Sequence, residues 1–116
     1  MKVLVTGGRD FSNTSLLFET LDEIHKTTTI TLIIHGAASG ADTLANTWAL
    51  QKGVPVESCP PDWARCGRGA GPVRINEMLE VAPDLVVAFP GGKGTADMVQ
   101  RARKAGIEIV VVQPSV

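Results

Sequence analysis

Residues 85–95 read LVVAFPGGKGT, an apolar run from Leu85 to Phe89 followed by Pro90 and by glycines at 91, 92 and 94. A short β-branched run that ends in glycines, with a helix-like stretch from Thr95 to Ala105 behind it, is the repeating unit of a parallel α/β sheet. The same unit recurs along the chain. KVLVT (Lys2 to Thr6) and IEIVVV (Ile107 to Val112) read as buried strands, TLIIH (Thr31 to His35) as another, and VPVES (Val54 to Ser58) as a weaker one ahead of Pro60 and Pro61. Helices are expected between them at Ser15 to His25, with Leu17, Leu21 and Ile24 on one face, and at Ala41 to Lys52, Val73 to Val81 and Thr95 to Ala105. Gly53 and Gly106 sit where two of these helices must stop. Strands alternating with helices predict a three-layer α/β/α sandwich of about five mostly parallel strands in the order 3-2-1-4-5.

The 116 residues fit one domain, 1–116, with 44% hydrophobic and 20% charged residues to build and solubilise a core. The net charge of -1 and isoelectric point near 6.1 exclude the broad basic surface that sequence-independent nucleic-acid binding requires. A small anionic ligand needs only a local basic site. The apolar run at the N-terminus stops at Thr6, too short for a signal peptide or a membrane span, so a cytoplasmic protein is expected. Cys59 and Cys66, the only cysteines, are too few for a zinc site or a disulfide scaffold. Both read as reduced thiols, Cys66 lying beside Arg65 and Arg68. No metal and no cofactor are expected.

In a doubly wound sheet, ligands bind beyond the carboxyl ends of the strands where the strand order reverses. Three glycine-rich loops fall there: Thr6 to Phe11 (TGGRDF), His35 to Asp42 (HGAASGAD) and Pro90 to Thr95 (PGGKGT). The third has the strongest warrant for phosphate, because glycines allow close backbone approach and the following helix presents free N–H groups. Thr95 is placed to cap that helix and Lys93 to add charge. The spacing is neither that of a Walker A loop nor G-x-G-x-x-G. In the second loop Gly36 and Gly40 bracket small residues, Ser39 is a candidate helix cap, and Asp42 falls in the first turn. Asp42 has two readings, a residue that complements the helix dipole or an acceptor for a ribose hydroxyl. His35 reads as structural. In the first loop Gly7 and Gly8 precede Arg9, a candidate phosphate clamp that Asp10 would orient.

Cys59 to Pro72 has no clear periodicity and carries Trp63, Arg65 and Arg68, which suit either a cationic flap over an anion or, for Trp63, a hydrophobic anchor. Arg74 and Asn76 are expected to open the next helix. An arginine there is opposed by the macrodipole unless it faces an anion.

Taken in order, TGGRDF, HGAASGAD, PDWARCG, AGPVRINEML and PGGKGTADM resemble the SLOG superfamily, in particular its small YpsA-related branch found in bacteria and phages. The resemblance runs over nearly the whole chain. It implies a Rossmann-like fold that binds a nucleotide or nucleotide-derived small molecule, and the dimers common among LOG-type relatives make a homodimer plausible. LOG-type enzymes of the superfamily release the base from nucleoside 5'-monophosphates. By that likeness Gly91, Gly92, Gly94 and Thr95 hold the 5'-phosphate and Arg74 contacts the substrate. The glutamate of the enzymes' PGG-x-GT-x-x-E pattern falls on Met98, which handles no proton, and Asp97 is the nearest carboxylate. The branch's GP-x-RN pattern reads GPVRIN, moving the asparagine to Asn76. The expectation is therefore nucleotide binding. An N-glycosidase using Arg74 with Asp97 or Asp42 stands as the enzymatic alternative, and a non-catalytic partner-binding module as a third.

Overall fold

A computed structural model describes residues 1–60 and 70–113, the side chains of residues 70–72 excepted. Five strands, β1 (Lys2–Thr6), β2 (Leu32–His35), β3 (Val56–Ser58), β4 (Leu85–Ala88) and β5 (Glu108–Val111), form one all-parallel sheet in the order β3-β2-β1-β4-β5. Among the described residues four helices, α1 (Thr14–Thr27), α2 (Ala41–Lys52), α3 (Ala70–Glu80) and α4 (Lys93–Lys104), alternate with them. The chain thus forms a Rossmann-like α/β fold with the expected strand order.

Side chains alternate across a strand, so each apolar strand feeds two cores. Val3, Val5, Ile33 and Val87 face Leu17 and Leu21 of α1 and Ala45, Trp48 and Ala49 of α2. Leu4, Ile34 and Val86 face Ile75 and Met78 of α3 and Met98 and Ala102 of α4. Register follows from this burial, because a one-residue slip would exchange the two faces. Val3 pairs with Ile33 on one side and with Leu85 on the other. Trp48 is fully buried, its Nε1 donating to Asp22 Oδ1 at 2.9 Å and its ring meeting His25 edge-on at 5.5 Å between centroids. The indole hydrogen bond, with Lys52 3.2 Å away, holds the Asp22 carboxyl below the usual carboxylate range against some desolvation.

The structure departs from the sequence reading in four places. IEIVVV is not a buried strand: among the described residues β5 is an edge paired only to β4, and Val110 and Val111 are exposed. Gly40, with φ of +76°, is the N-cap of α2, and Ser39 makes no capping bond. Gly92 is the N-cap of α4, which begins two residues earlier than expected and leaves Thr95 inside its first turn. α3 begins at Ala70, so Arg74 is not at a helix start and the dipole argument for it lapses. The stretch 61–69, with Trp63, Arg65, Cys66 and Arg68, lies outside the described residues.

Candidate functional site

From β1 the chain steps outward to β2 and β3, then returns to place β4 against the other side of β1. The loops leaving β1 and β4 therefore diverge, and a cleft opens between them. One residue, through its backbone N–H and C=O, ties the loops that frame it. Gly8 N donates to Pro90 O at 2.9 Å, while Gly8 O accepts from Ala41 N at 3.3 Å and from Phe11 N at 3.2 Å. Loops after β1, β2 and β4 thus meet at Gly8. The approach is so close that a Cβ on Gly91 would meet Gly8 N at 2.6 Å and overlap Thr95 Oγ1. A Cβ on Gly40 would overlap Gly8 O, and its positive φ strains any other residue.

The cleft holds a cavity of about 380 Å³. Its walls are Thr6 to Arg9 from the end of β1, Ala38 and Asp42 beside the start of α2, Arg74, Ile75 and Met78 from α3, and Gly92 to Thr95 with Met98 from α4. Arg9 and Lys93 are exposed, and among the described residues neither forms an ion pair, Asp10 included. Three cations therefore border a cavity with one carboxylate among its described lining residues. The start of α4 adds to this field. Lys93, Gly94 and Thr95 have no intrahelical acceptor for their N–H groups by position, and Gly92 supplies no side-chain cap. The N-terminus of α2 likewise lacks a side-chain cap. A second, more open cavity of about 640 Å³ adjoins across Gly8, Arg9 and Gly92, against Phe11, Leu16 and Pro90.

Asp42 is 7% exposed. Its Oδ2 accepts from Gly36 N at 2.9 Å and from Ala38 N at 3.3 Å, which pins the β2–α2 loop. Arg74 crosses the same loop, with Nη1 donating to Gly36 O at 3.0 Å and its guanidinium over Gly36. Arg74 Nε is buried without a hydrogen-bond partner among the described residues. Such a donor is costly unless something else in the cavity accepts from it. His35 is structural, as expected: Nδ1 accepts from Ala37 N at 3.0 Å, leaving the proton on Nε2 to face Asn46 Oδ1, also at 3.0 Å.

Burial pushes the Asp42 carboxyl above the ordinary carboxylate range, although the two backbone N–H groups and the fields of His35 and Arg74 oppose it. A raised pKa means that the folded chain holds this proton more tightly than the unfolded chain. The associated stability is present below the unfolded pKa and is lost as pH rises through the folded one. In urea melts between about pH 4 and 7, the wild type is accordingly expected to lose stability relative to Asp42→Asn as pH rises. A difference that stays constant with pH would refute this. Cys59 is pushed up as well, by burial first and then by Glu57 and Glu77, which makes its thiol a poor nucleophile at neutral pH.

Of the residues singled out in the sequence, Gly7, Gly8, Arg9, Asp42, Arg74, Gly92, Gly94 and Thr95 line the one cavity. Gly36 and Gly40 lie behind it as packing positions, and Gly91 lines the adjoining cavity. Asp97 is not among the lining residues: its Oδ1 accepts from Arg101 Nε at 2.9 Å, and Arg101 Nη1 donates to Asn76 Oδ1 at 2.9 Å. That network ties α4 to α3 on the outer side. Met98, one position on, packs into the core with Leu4, Ile34 and Val86 and borders the cavity from there. The sequence reading missed the apolar wall of Ile75 and Met78. Its signal was there in the spacing, since Met78 stands four residues after Arg74 and so shares its helix face.

Among the described residues no cluster of His, Cys, Asp and Glu is arranged to hold a metal ion, and no helix is long and apolar enough to cross a membrane. The model of YAcAr, the YspA, cpYpsA-related SLOG family, matches residues 1–66. The Gene 61 protein of Mycobacterium phage D29 is 36% identical over 117 residues, covering 94% of each chain. Among solved structures, DNA processing protein A of Streptococcus pneumoniae superposes with a TM-score of 0.79 at 17% identity, over 99% of this chain and 51% of that one. This chain thus spans about half the length of that neighbour. The Moco Carrier Protein of Chlamydomonas reinhardtii gives a TM-score of 0.67 at 20% identity, over 97% and 77%. At these identities the two structures share the fold with this chain.

Proposed function

Since the chain belongs to the YspA, cpYpsA-related SLOG family, we propose that it binds a nucleotide or nucleotide-derived ligand, with a phosphate at the start of α4 and the remainder against Arg74, Asp42 and the apolar wall. The observation that carries this reading is Gly94, next to Gly92. A Cβ on either would meet nothing within 4 Å; Gly92, with φ of −98° and ψ of −145°, has a backbone that favours glycine, but Gly94, inside the helix and without a positive φ, is given no reason to be glycine by the fold. Both border the cavity at an uncapped helix start, where a bare backbone lets an anion reach the N–H groups. A cavity of about 380 Å³ is within the size of small-molecule sites. The partnerless Nε of Arg74 is supplied with an acceptor when a phosphate or sugar oxygen lies beside it.

Isothermal titration with the four nucleoside 5'-monophosphates, ADP-ribose and inorganic phosphate tests the proposal. Saturable binding of at least one is expected, and competition by inorganic phosphate should weaken it. Arg74→Ala is expected to reduce affinity roughly ten- to hundredfold, the worth of one or two hydrogen bonds from a charged donor. A folded protein that binds none of these ligands would sink the reading.

Binding without hydrolysis is the form put forward. The α4 side of the cavity carries Met98 rather than a carboxylate, and Asp97 is engaged with Arg101 away from the lining. Chromatography after incubation with the same monophosphates should recover no free base. Released base would replace this reading with the N-glycosidase, for which Asp42 is the carboxylate at hand.

A further inference from the structure

The two edges of the sheet are finished differently. β3, on one side, is three residues long and is bracketed by Pro55 and Pro60, with Glu57 and Ser58 exposed, features that keep an edge from pairing with another chain. β5, on the other, carries one charge, Glu108 at its first residue, and is otherwise Ile109, Val110 and Val111. Val112 N donates to Ala88 O, so by the alternation of a parallel ladder Glu108, Val110 and Val112 turn their backbone groups to β4. Ile109 and Val111 turn theirs outward, and among the described residues nothing pairs with them. The exposed large hydrophobic side chains among the described residues are Leu50, on α2, and the neighbours Val110 and Val111, 37% and 48% exposed.

Those valines lie on opposite faces. Val110, beside Val87, is on the α1 side of the sheet, and Val111, two residues after Ile109, is on the α4 side. A helix or loop laid on the sheet would cover one of them. A strand added to the edge covers both and satisfies the outward backbone groups as well. Such a strand has to be apolar on both faces, whereas strands of one-sided antiparallel sheets are apolar on one. β5 itself meets the requirement, and a two-fold axis presents it to another copy in antiparallel sense. With that axis at Val110, Ile109 of each copy exchanges backbone hydrogen bonds with Val111 of the other, and the two Val110 side chains meet across a closely spaced pair. Charge agrees with this register. Glu108 falls opposite the partner's Val112 and about 14 Å from the partner's Glu108, where salt screens it. A net charge of -1 adds little repulsion between copies.

We infer that β5 is a dimerisation edge, at which two copies of this chain join their sheets by antiparallel β5–β5 pairing across a two-fold axis at Val110. The five-stranded sheet then continues into that of the partner. Because the strands of the two copies run in opposite directions, the cavities open at opposite ends of the joined sheet. Pairing neither completes nor blocks them, so it stands or falls independently of what the cavity binds. Four or five residues a side make a contact below the ~1,200 Å² of a stable complex, and a dissociation constant of roughly 10 to 100 μM is expected.

Sedimentation velocity of the full chain, from about tenfold below to tenfold above that constant, is the test. The mean mass is expected to rise from that of the 12.2 kDa chain toward twice that value. Val110→Lys and Val111→Lys charge opposite faces of the strand, and each is expected to raise the dissociation constant roughly tenfold or more, since every substitution occurs twice across a two-fold axis. Val111→Pro removes an outward N–H and no hydrogen bond of the ladder with β4, so it should keep the fold and abolish the dimer. Leu50→Lys, at the exposed leucine of α2, should leave the dimer unchanged. Urea melts check that each variant is folded. A wild type that stays monomeric over the whole range overturns the inference, as does growth beyond the dimer. Dimers that persist in Val111→Pro, or that only one of the two lysine variants disrupts, place the contact on a face of the sheet and overturn edge pairing. Weakening by Leu50→Lys places it on α2, with the same consequence.

Discussion

Gly91→Ala is expected to destabilise the fold by about 2 to 3 kcal/mol, while Gly94→Ala, three residues on, is expected to leave stability unchanged or slightly raised and to lose ligand. The contrast comes from what surrounds each position. A methyl group on Gly91 would collide with Gly8 N and Thr95 Oγ1, and the first of these is backbone that also bonds Pro90 O. The loops after β1 and β4 would have to part, and the Gly8 backbone that joins three loops would move with them. At Gly94 a methyl group meets open space, and alanine is a better helix former than glycine by up to about 1 kcal/mol. It would, however, stand at the mouth of the cavity over the free N–H groups of α4. Urea melts and phosphate or nucleotide titrations on both variants separate the two roles. A Gly94→Ala protein that binds ligand as the wild type does would remove the main support for a phosphate at this helix, and a stable Gly91→Ala protein would contradict the packing.

The largest effect on stability is expected at Trp48, where alanine should cost about 3 to 5 kcal/mol. The ring is fully buried between α1, α2 and the sheet, packing with Leu17, Leu21 and the β1 valines in one cluster. Its loss leaves a cavity that short neighbours such as Ala45 and Ala49 cannot fill. The Asp22 hydrogen bond contributes little to the total, since that carboxylate is half-exposed and keeps Lys52. For a domain of this size the change corresponds to a fall in melting temperature of roughly 12 to 20 °C. Trp48→Phe, which retains most of the apolar volume, should recover more than half of it. A melting point within a few degrees of wild type for Trp48→Ala would mean that the core is packed otherwise than described.

Much of the candidate site is legible along the chain because it sits in a regular place. Pro90 to Thr95 follows an unmistakable buried strand and precedes a helix, and the cavity is found at its end. Arg74 was legible too, although for a reason that fails: α3 starts at Ala70, and what gives Arg74 its interest is the buried Nε and the contact with Gly36. α2 starts at Ala41 as read from the sequence and differs only in its capping residue, whereas α4 starts two residues earlier than expected; Ser39 and Thr95 are good capping residues, and local preference points to them. At both helices a glycine stands at the cap instead. Gly40 is wedged against Gly8 O, an acceptor contributed by a loop more than thirty residues away in sequence.

Strand number, helix positions and the order 3-2-1-4-5 follow from period, chain breakers and the rules for parallel crossovers, all of which act over short stretches and so are written in the residues themselves. Which glycines pack and which border open space is not written there. Gly91 and Gly92 are neighbours with the same letter, and what distinguishes them is the approach of Gly8 and Thr95 to the first. The same holds for the carboxylates. Asp97 and Asp42 each lie near the start of a helix that follows a glycine loop, but helical rotation and the Asn76–Arg101 contact turn Asp97 outward, whereas Gly36 and Ala38 hold Asp42 at the cavity. Those outcomes depend on contacts between segments distant in sequence, which come into being when the sheet brings its loops together.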